Sequence, residues 1–376
     1  MLRMKKILKK IMMIFLILIA VLVVATLLFM QHPKFGKRPT SKRLELIQKS
    51  ANYKDGAFQN QSFTPDLAEG ATMTKVMYQF FFGKSKRSKP AKALPSQKTD
   101  LKQLGADENV VIWFGHSSYF IKADGKTILV DPVFSGAASP IPATTRAFAG
   151  ADVYSVDDFP EIDYLFISHD HWDHLDYDTV LKLKSKVKKV ITGLGTGEHF
   201  EYWGYDAATI IELDWNQSAS LGDGFSTTAV PGRHFSGRSL KRNSAIWVGF
   251  VLQTPSLKLF LGGDSGYDHH FKTIGDTYGP FDLALLECGQ YNEYWKYIHM
   301  MPEEVVKAAK ELRTKRLMPV HWAKFSLALH AWDEPIIRVT TEAEKQNMPI
   351  VTPMIGQKVN LNDTTQTFTK WWVGLE

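Results

Sequence analysis

The sequence predicts a mixed α/β (α+β) domain held by one N-terminal transmembrane helix, and three observations predict it. Short apolar runs come first as a hairpin and later alternate with helical patterns. Positions 11–30 form an apolar run broken only by Thr26, and about 20 such residues span a hydrocarbon core. Histidines and aspartates recur where apolar runs give way to loops, as they would at one edge of a sheet. A chain of 376 residues has ample core for one large or two small domains.

Arg3, Lys5, Lys6, Lys9 and Lys10 precede the apolar run. No small-x-small cleavage site follows it, which favours a retained signal-anchor over residues 1–30. The positive-inside rule leaves the N-terminus cytoplasmic and the catalytic domain extracytoplasmic. Lys34, Lys37, Arg38, Lys42 and Arg43 form an equal cluster beyond the run, so sidedness stays open.

Residues 1–98 carry 19 Lys and Arg against 4 Asp and Glu, a net +15; residues 99–376 carry 26 against 35, a net −9. The basic charge adjoins the anchor and the rest is acidic, which fits an anionic membrane surface and argues against nucleic acid. Cys288 is the only cysteine, which rules out an intramolecular disulfide and a Cys-rich metal site.

Residues 31–105 read as a linker and N-terminal extension ahead of a domain over 106–376. Within it, Tyr78, Phe80, Phe81 and Phe82 precede Lys84, Lys86, Arg87, Lys89 and Lys92. Two readings stand: a stretch resting on anionic lipid, or a helix capping the domain ahead of a solvated loop.

Val110-Val111-Ile112-Trp113-Phe114 reads as a buried strand. Residues 118–121 and 127–130 flank Asp124-Gly125, a hairpin turn. The Ala-, Pro- and Gly-rich stretch 135–154 reads as a loop near the site. A basic amphipathic helix is expected over 179–188, then strands at 190–192, 209–213, 225–230, 246–252, 257–261 and 282–286. Pro302-Glu303-Glu304 opens a helix reaching about 313, with Pro and acids in its first turn, ahead of Leu317-Met318-Pro319-Val320.

The chemistry centres on Ser168-His169-Asp170-His171-Trp172-Asp173-His174, directly after Tyr164-Leu165-Phe166-Ile167. Imidazole and carboxylate suit a borderline divalent metal, and the spacing suits two metals better than one. Three further residues share the strand-to-loop context: His234 after Pro231-Gly232-Arg233, Asp264 after Gly262-Gly263, and His321 after Val320. Alone, each would more often be a structural hydrogen-bonder. Together they complete a set of seven.

In this order the pattern resembles the metallo-β-lactamase-fold hydrolases, most closely the N-acylphosphatidylethanolamine-hydrolysing phospholipase D group and its bacterial relatives. Carrying residues are Trp113-Phe114-Gly115-His116-Ser117-Ser118, Asp131-Pro132-Val133-Phe134, the metal motif, Glu212-Leu213-Asp214-Trp215, Gly263-Asp264-Ser265-Gly266-Tyr267, Gly279-Pro280-Phe281-Asp282, His299-x-x-Pro302-Glu303-Glu304 and His321-Trp322-x-x-Phe325. The resemblance implies a four-layer αββα sandwich. It implies two zinc ions, one on His169, His171 and His234, the other on Asp173, His174 and His321, with Asp264 bridging. Mn and Fe suit the same donors.

Two metals about 3.5–4 Å apart can hold a bridging hydroxide and clamp the oxygens of a phosphodiester. The resemblance also makes His299 an active-site residue, with a hydrogen-bonder at a helix start as the structural alternative. Asp131 is expected to orient a ligand, Asp170 to support the site or face solvent, and His116 to be a core histidine. Tyr267, Gln290, Tyr291 and Phe325 are expected to line the pocket, and His269-His270 to lie on the surface. The leading function is a membrane-anchored phosphodiesterase cleaving N-acyl phosphatidylethanolamine or a related phospholipid. A lactonase or ester hydrolase on a small polar substrate is the alternative, and a non-catalytic membrane-bound metal-binding protein the third. A greasy channel beside the metals would favour the first, a small closed pocket the second.

Overall fold

Strands buried on both faces need a layer on each side, and the fold supplies four. The computed structural model describes residues 2–375. A seven-stranded sheet runs in the order Lys358–Asn360, Val110–Trp113, Tyr119–Ala123, Lys126–Val130, Ile162–Ile167, Val187–Gly193, Ile210–Leu213. Against it lies a six-stranded sheet in the order Leu317–Val320, Leu283–Glu287, Lys258–Leu261, Gly249–Gln253, Phe225–Val230, Ser218–Gly222.

Successive side chains of a strand point to opposite faces, and here they enter different cores. Val110 and Ile112 pack with Leu165, Val180 and Phe200, beneath helices Tyr177–Leu183 and Gly197–Tyr202. Val111 and Trp113 join Phe225, Phe250 and Leu252 of the second sheet in another cluster. Helices His270–Tyr278, Pro302–Glu311 and Glu334–Lys345 bury Phe271, Val305 and Val339 in that same cluster. The layering is αββα, as expected.

Hairpin pairing gives way to parallel pairing inside both sheets. Lys126–Val130 pairs parallel to Ile162–Ile167, and Lys258–Leu261 to Leu283–Glu287. Register places Leu261 opposite Leu285, and Glu287 opposite Val320. The segments leading to Asp264 and His321 therefore leave the second sheet at one edge, beside Glu287.

Several boundaries differ from expectation. The helix expected over 179–188 ends at Leu183, and a strand begins at Val187. Ile246 and Val248 donate to Leu194 and Ser168 across to the first sheet, so the strand proper starts at Gly249. Ser218–Gly222 escaped notice because only Leu221 of that edge strand is buried.

Helix Leu2–Phe29 is long and apolar enough to cross a membrane, and none of its apolar span is buried. The following segment is not a loose linker. Arg43 pairs with Glu198, Glu201 and Glu212, Asn52 donates to Asp214, and Ile47, Phe58 and Leu94 are buried in the main core. Of the two readings of 78–92, packing holds for Phe80, stacked on Trp295, and for Lys84, whose Nζ donates to Ser326 O. Phe81 and Phe82 remain 73% and 77% exposed.

Candidate metal centre

The first sheet delivers four candidate ligands through one turn after Ile167, where His174 and Leu175 N–H close back on His171 O. The second sheet delivers His234, Asp264 and His321 from three strand ends. Gly263 is required for the approach: a Cβ there would meet Val248 O at 2.7 Å and Ser168 Cβ at 2.8 Å.

All seven candidate ligands converge, in two groups about Asp264. Nitrogens of His169, His171 and His234 lie within 4.8 Å of one another, with Asp264 Oδ2 at 4.0 Å from His169 Nε2 and 3.8 Å from His234 Nε2. Asp264 Oδ1 faces the other way, 3.2 Å from His174 Nε2 and 3.1 Å from His321 Nδ1. Asp173 Oδ2 stands 3.7 Å from His174 Nε2.

The donors fit a cationic occupant. His174 Nε2 and Asp264 Oδ1 are buried and face each other without a hydrogen bond. Orphaned buried atoms of this kind are costly unless something binds them. Burial first, then neighbouring imidazoles, hold His169 and His321 well below the ordinary histidine range. Burial also lowers His171, to about 4. Neutral imidazole is the form that binds metal. Burial opposes charge on Asp264, yet His174, His299 and His234 together outweigh it and hold the carboxyl at about 2. Burial likewise opposes charge on His174, but Asp264, Asp173 and Asp131 raise it well above its usual range. Two buried carboxylates, Asp264 and Asp131, and the partly buried Asp173 here demand positive charge.

A supporting layer orients the donors. Asp131 accepts from Ser168 N (2.8 Å) and Oγ (2.6 Å), and lies 2.8 Å from His174 Nδ1. Ser117 Oγ lies 2.8 Å from His321 Nδ1, and Ile298 O lies 2.8 Å from His234 Nδ1. Asn60, from the N-terminal extension, brackets the His234 backbone: its Nδ2 donates to His234 O, and its Oδ1 accepts from His234 N. His116, Asp131, Gln290 and His321 all adopt φ between 41° and 68°, a strained region for such residues that clusters at functional sites.

The remaining singled-out residues divide between the site and its surroundings. His116 is a core histidine in burial but belongs to the site: its Nε2 lies 2.9 Å from Asp173 Oδ2, and its ring 3.9 Å from that of His321. Asp170 is buried, bonded by Gly237 N and 3.2 Å from His199 Nε2. Gln290 does line the metal pocket. Tyr267 does not: its hydroxyl donates to Glu311 and its ring stacks on Phe271. Tyr291 turns to Glu334 and stacks on His330 beside a separate recess. Phe325 sits behind His116, packed edge-on. His270 is buried rather than superficial, while His269 is exposed.

His299 reaches the pocket, with Nδ1 4.0 Å from Asp264 Oδ2 and 2.8 Å from Glu287 Oε2. Burial raises the Glu287 carboxyl to about 7; burial opposes charge on His299, but Glu287, Asp264 and Asp173 together outweigh it and lift His299 to about 9. Glu287 gave no signal beyond being an acid ending an apolar strand, which could have been read as a buried partner. The walls were missed as well. A cavity of about 370 Å³ opens above the donors, and its sides come from Leu67, Met73, Val76, Phe80, Phe235 and Leu327.

A profile of the beta-lactamase superfamily domain matches residues 126–322, more than half of the chain. This chain belongs to the metallo-β-lactamase-fold superfamily. It is 37% identical over 333 residues to an uncharacterised protein of Mycobacterium tuberculosis, covering 86% of this chain and 88% of that one. It is 30% identical over 232 residues to N-acyl-phosphatidylethanolamine-hydrolyzing phospholipase D 1 of Caenorhabditis elegans, covering 57% of this chain and 64% of that one. Among solved structures, a metallo hydrolase of Ignicoccus hospitalis matches with TM-score 0.53 at 19% identity, over 67% of this chain and 97% of that one. The superfamily region holds all seven candidate ligands and Asp131. His116 and most of the apolar wall lie outside it.

Proposed function

We propose that the chain is a membrane-anchored, dinuclear metal-dependent phosphodiesterase that cleaves the headgroup bond of a phospholipid, with N-acyl phosphatidylethanolamine the first candidate. One observation carries the substrate class: the polar donors floor a cavity whose walls, Asp66 and Arg242 aside, are mostly apolar and open outward, a place for acyl chains above a phosphate. The C. elegans relative named as a phospholipase D supports the same bond.

In this reading His169, His171 and His234 hold one cation, and Asp173, His174 and His321 the second, with Asp264 between. Zinc is the expected metal, with Mn or Fe as alternatives. When bound, such a pair supplies Lewis-acid stabilisation of the phosphoryl oxygens and lowers the pKa of a bound water. The chain's own residues do the rest. Asp131 orients His174, and His116 orients Asp173. His299, its Nδ1 tied to Glu287, offers Nε2 to the pocket as a hydrogen-bond donor to a phosphoryl oxygen or as the proton source for the leaving oxygen. Leu67, Met73, Val76 and Phe80 exclude water and seat the lipid. Residues 1–30 anchor the protein with its domain outside the cytoplasm, and residues 31–105 complete the pocket built by 106–376.

The test is hydrolysis by detergent-solubilised, zinc-loaded protein of N-acyl phosphatidylethanolamine beside bis(p-nitrophenyl) phosphate and a simple lactone, with Asp264→Asn as control. Release of phosphatidic acid, abolished in the variant, is the expected result. Turnover of the lactone alone would replace this reading with an ester hydrolase, and no turnover by fully metallated protein with a binding protein.

A further inference from the structure

A second recess, of about 230 Å³, lies beside the metal loop at the foot of the N-terminal helix. Met30, next after helix Leu2–Phe29, forms part of its lining.

The polar groups of this recess fall into two sets. One is already satisfied. Asp170 Oδ1 accepts from Gly237 N at 2.6 Å, and Oδ2 lies 3.2 Å from His199 Nε2. His199 Nδ1 accepts from Lys37 N. Arg238 donates to the carbonyls of Lys34, Asp170 and Leu175. The other set is Arg38, Ser239, Lys241 and Ser244, whose side chains have no hydrogen-bond or ionic partner among the described residues. Ser244 Oγ is buried in that state. The unsatisfied groups are two cations and two hydroxyls, and Asp170, the one acid in the lining, is engaged. Such a set matches an oxyanion with several acceptor oxygens.

Place narrows the class. A helix of this length ends where the hydrocarbon core meets the headgroups, so a recess lined by its next residue sits at headgroup height. An anionic headgroup at that height would attract such cations. We propose that this recess binds the phosphate of an anionic phospholipid headgroup, seating the domain on the leaflet beside the metal loop. The proposal rests on the membrane reading of the helix and is independent of the phosphodiesterase reading.

Native mass spectrometry of the full chain, released from micelles with equal phosphatidylglycerol and phosphatidylcholine, tests it. The expected result is retention of the anionic lipid with roughly thirtyfold preference, from about fivefold for each of two cations. Arg38→Ala/Lys241→Ala, which changes two exposed side chains, should bring that ratio near one. Ser244→Val should lower it several-fold with charge untouched. A parallel arm measures the shift in Tm with inorganic phosphate. A shift in the wild type that the double variant loses, with no lipid retained, would overturn the lipid assignment in favour of a free oxyanion. Lipid retained equally by all three proteins would be lipid in the metal pocket, overturning the proposal while leaving the proposed function standing. Absence of both lipid preference and phosphate shift would overturn it outright.

Discussion

The floor and the wall of the metal pocket are built on opposite rules. On the floor, His169, His174, His234, His321 and Asp264 are at most 5% exposed, and hydrogen bonds or packed rings fix each imidazole. On the wall, Met73 is 59% and Phe80 39% exposed, held by one short helix, Met73–Tyr78, and the turn after it. Buried donors fixed in place serve chemistry, because preorganisation costs nothing at the moment of reaction. Large apolar side chains left in solvent serve recognition, because a soluble domain gains nothing from them until something covers them. The superfamily region contains the floor and omits most of the wall. The shared region therefore carries the candidate ligands, and most of the wall comes from segments outside it.

The largest expected effect breaks the floor at its centre. Asp264→Asn leaves one face of the carboxylate as an amide between two groups of imidazoles, removing the negative charge both groups share. Activity should fall by far more than the roughly 10–100-fold typical of residues that only orient a ligand. Turnover of bis(p-nitrophenyl) phosphate, with metal content measured on the same sample, checks this. A loss under tenfold would mean that Asp264 is peripheral.

Next in size are the orienting residues. Asp131→Asn keeps the shape but trades one acceptor oxygen for a donor facing Ser168 or His174. His116→Asn frees Asp173 Oδ2. Each should weaken metal retention by about 10–100-fold, read as the concentration of chelator that strips half the metal. Normal retention in His116→Asn would return that residue to the plain core role expected of it.

A smaller effect comes from the layer below the floor. Burial holds His270 down to about 3, against about 6.5 in an unfolded chain. Below pH 6.5 the unfolded state therefore binds a proton that the folded state refuses. Stability fully present above pH 6.5 is lost as the pH falls, at up to about 1.4 kcal/mol per pH unit. Between pH 7 and pH 5 His270→Gln should lose about 2 kcal/mol less than the wild type, measured by urea unfolding. Parallel curves would show that His270 titrates normally.

Legibility in the sequence followed locality and redundancy. His169, His171, Asp173 and His174 were visible because four ligands fall within six residues. His234, Asp264 and His321 were visible because each ends an apolar run, and strand ends must gather at an edge. His116 had no such company: its partner Asp173 is 57 positions away, and the turn between Val110–Trp113 and Tyr119–Ala123, bonded by its backbone to His321 and Trp322, sets it against the metal loop. Tyr267 and Tyr291 failed for the converse reason. Their hydroxyls found acids, Glu311 and Glu334, on outer helices, and a buried hydroxyl follows its hydrogen bond. The N-terminal extension read as a linker because its contacts are single and scattered, Arg43 here and Asn60 there, with no periodicity to mark them.

The smallest effect separates wall from floor. Phe80 stacks on Trp295 at 5.9 Å and keeps about two-fifths of its surface free beside Met73 and Leu67. Covering that free area with an acyl chain is worth on the order of 1 kcal/mol at about 25 cal/mol per Å². Phe80→Ser should therefore lower kcat/KM for a long-chain N-acyl phosphatidylethanolamine about fivefold, mostly through KM. It should lower turnover of bis(p-nitrophenyl) phosphate, which has no chain to seat, far less. Phe80→Leu should restore most of the lipid activity, since apolar area rather than aromaticity is what the contact uses. If both substrates fall together, Phe80 is instead a brace for Trp295 and the floor, and the division between chemistry below and recognition above does not hold at this position.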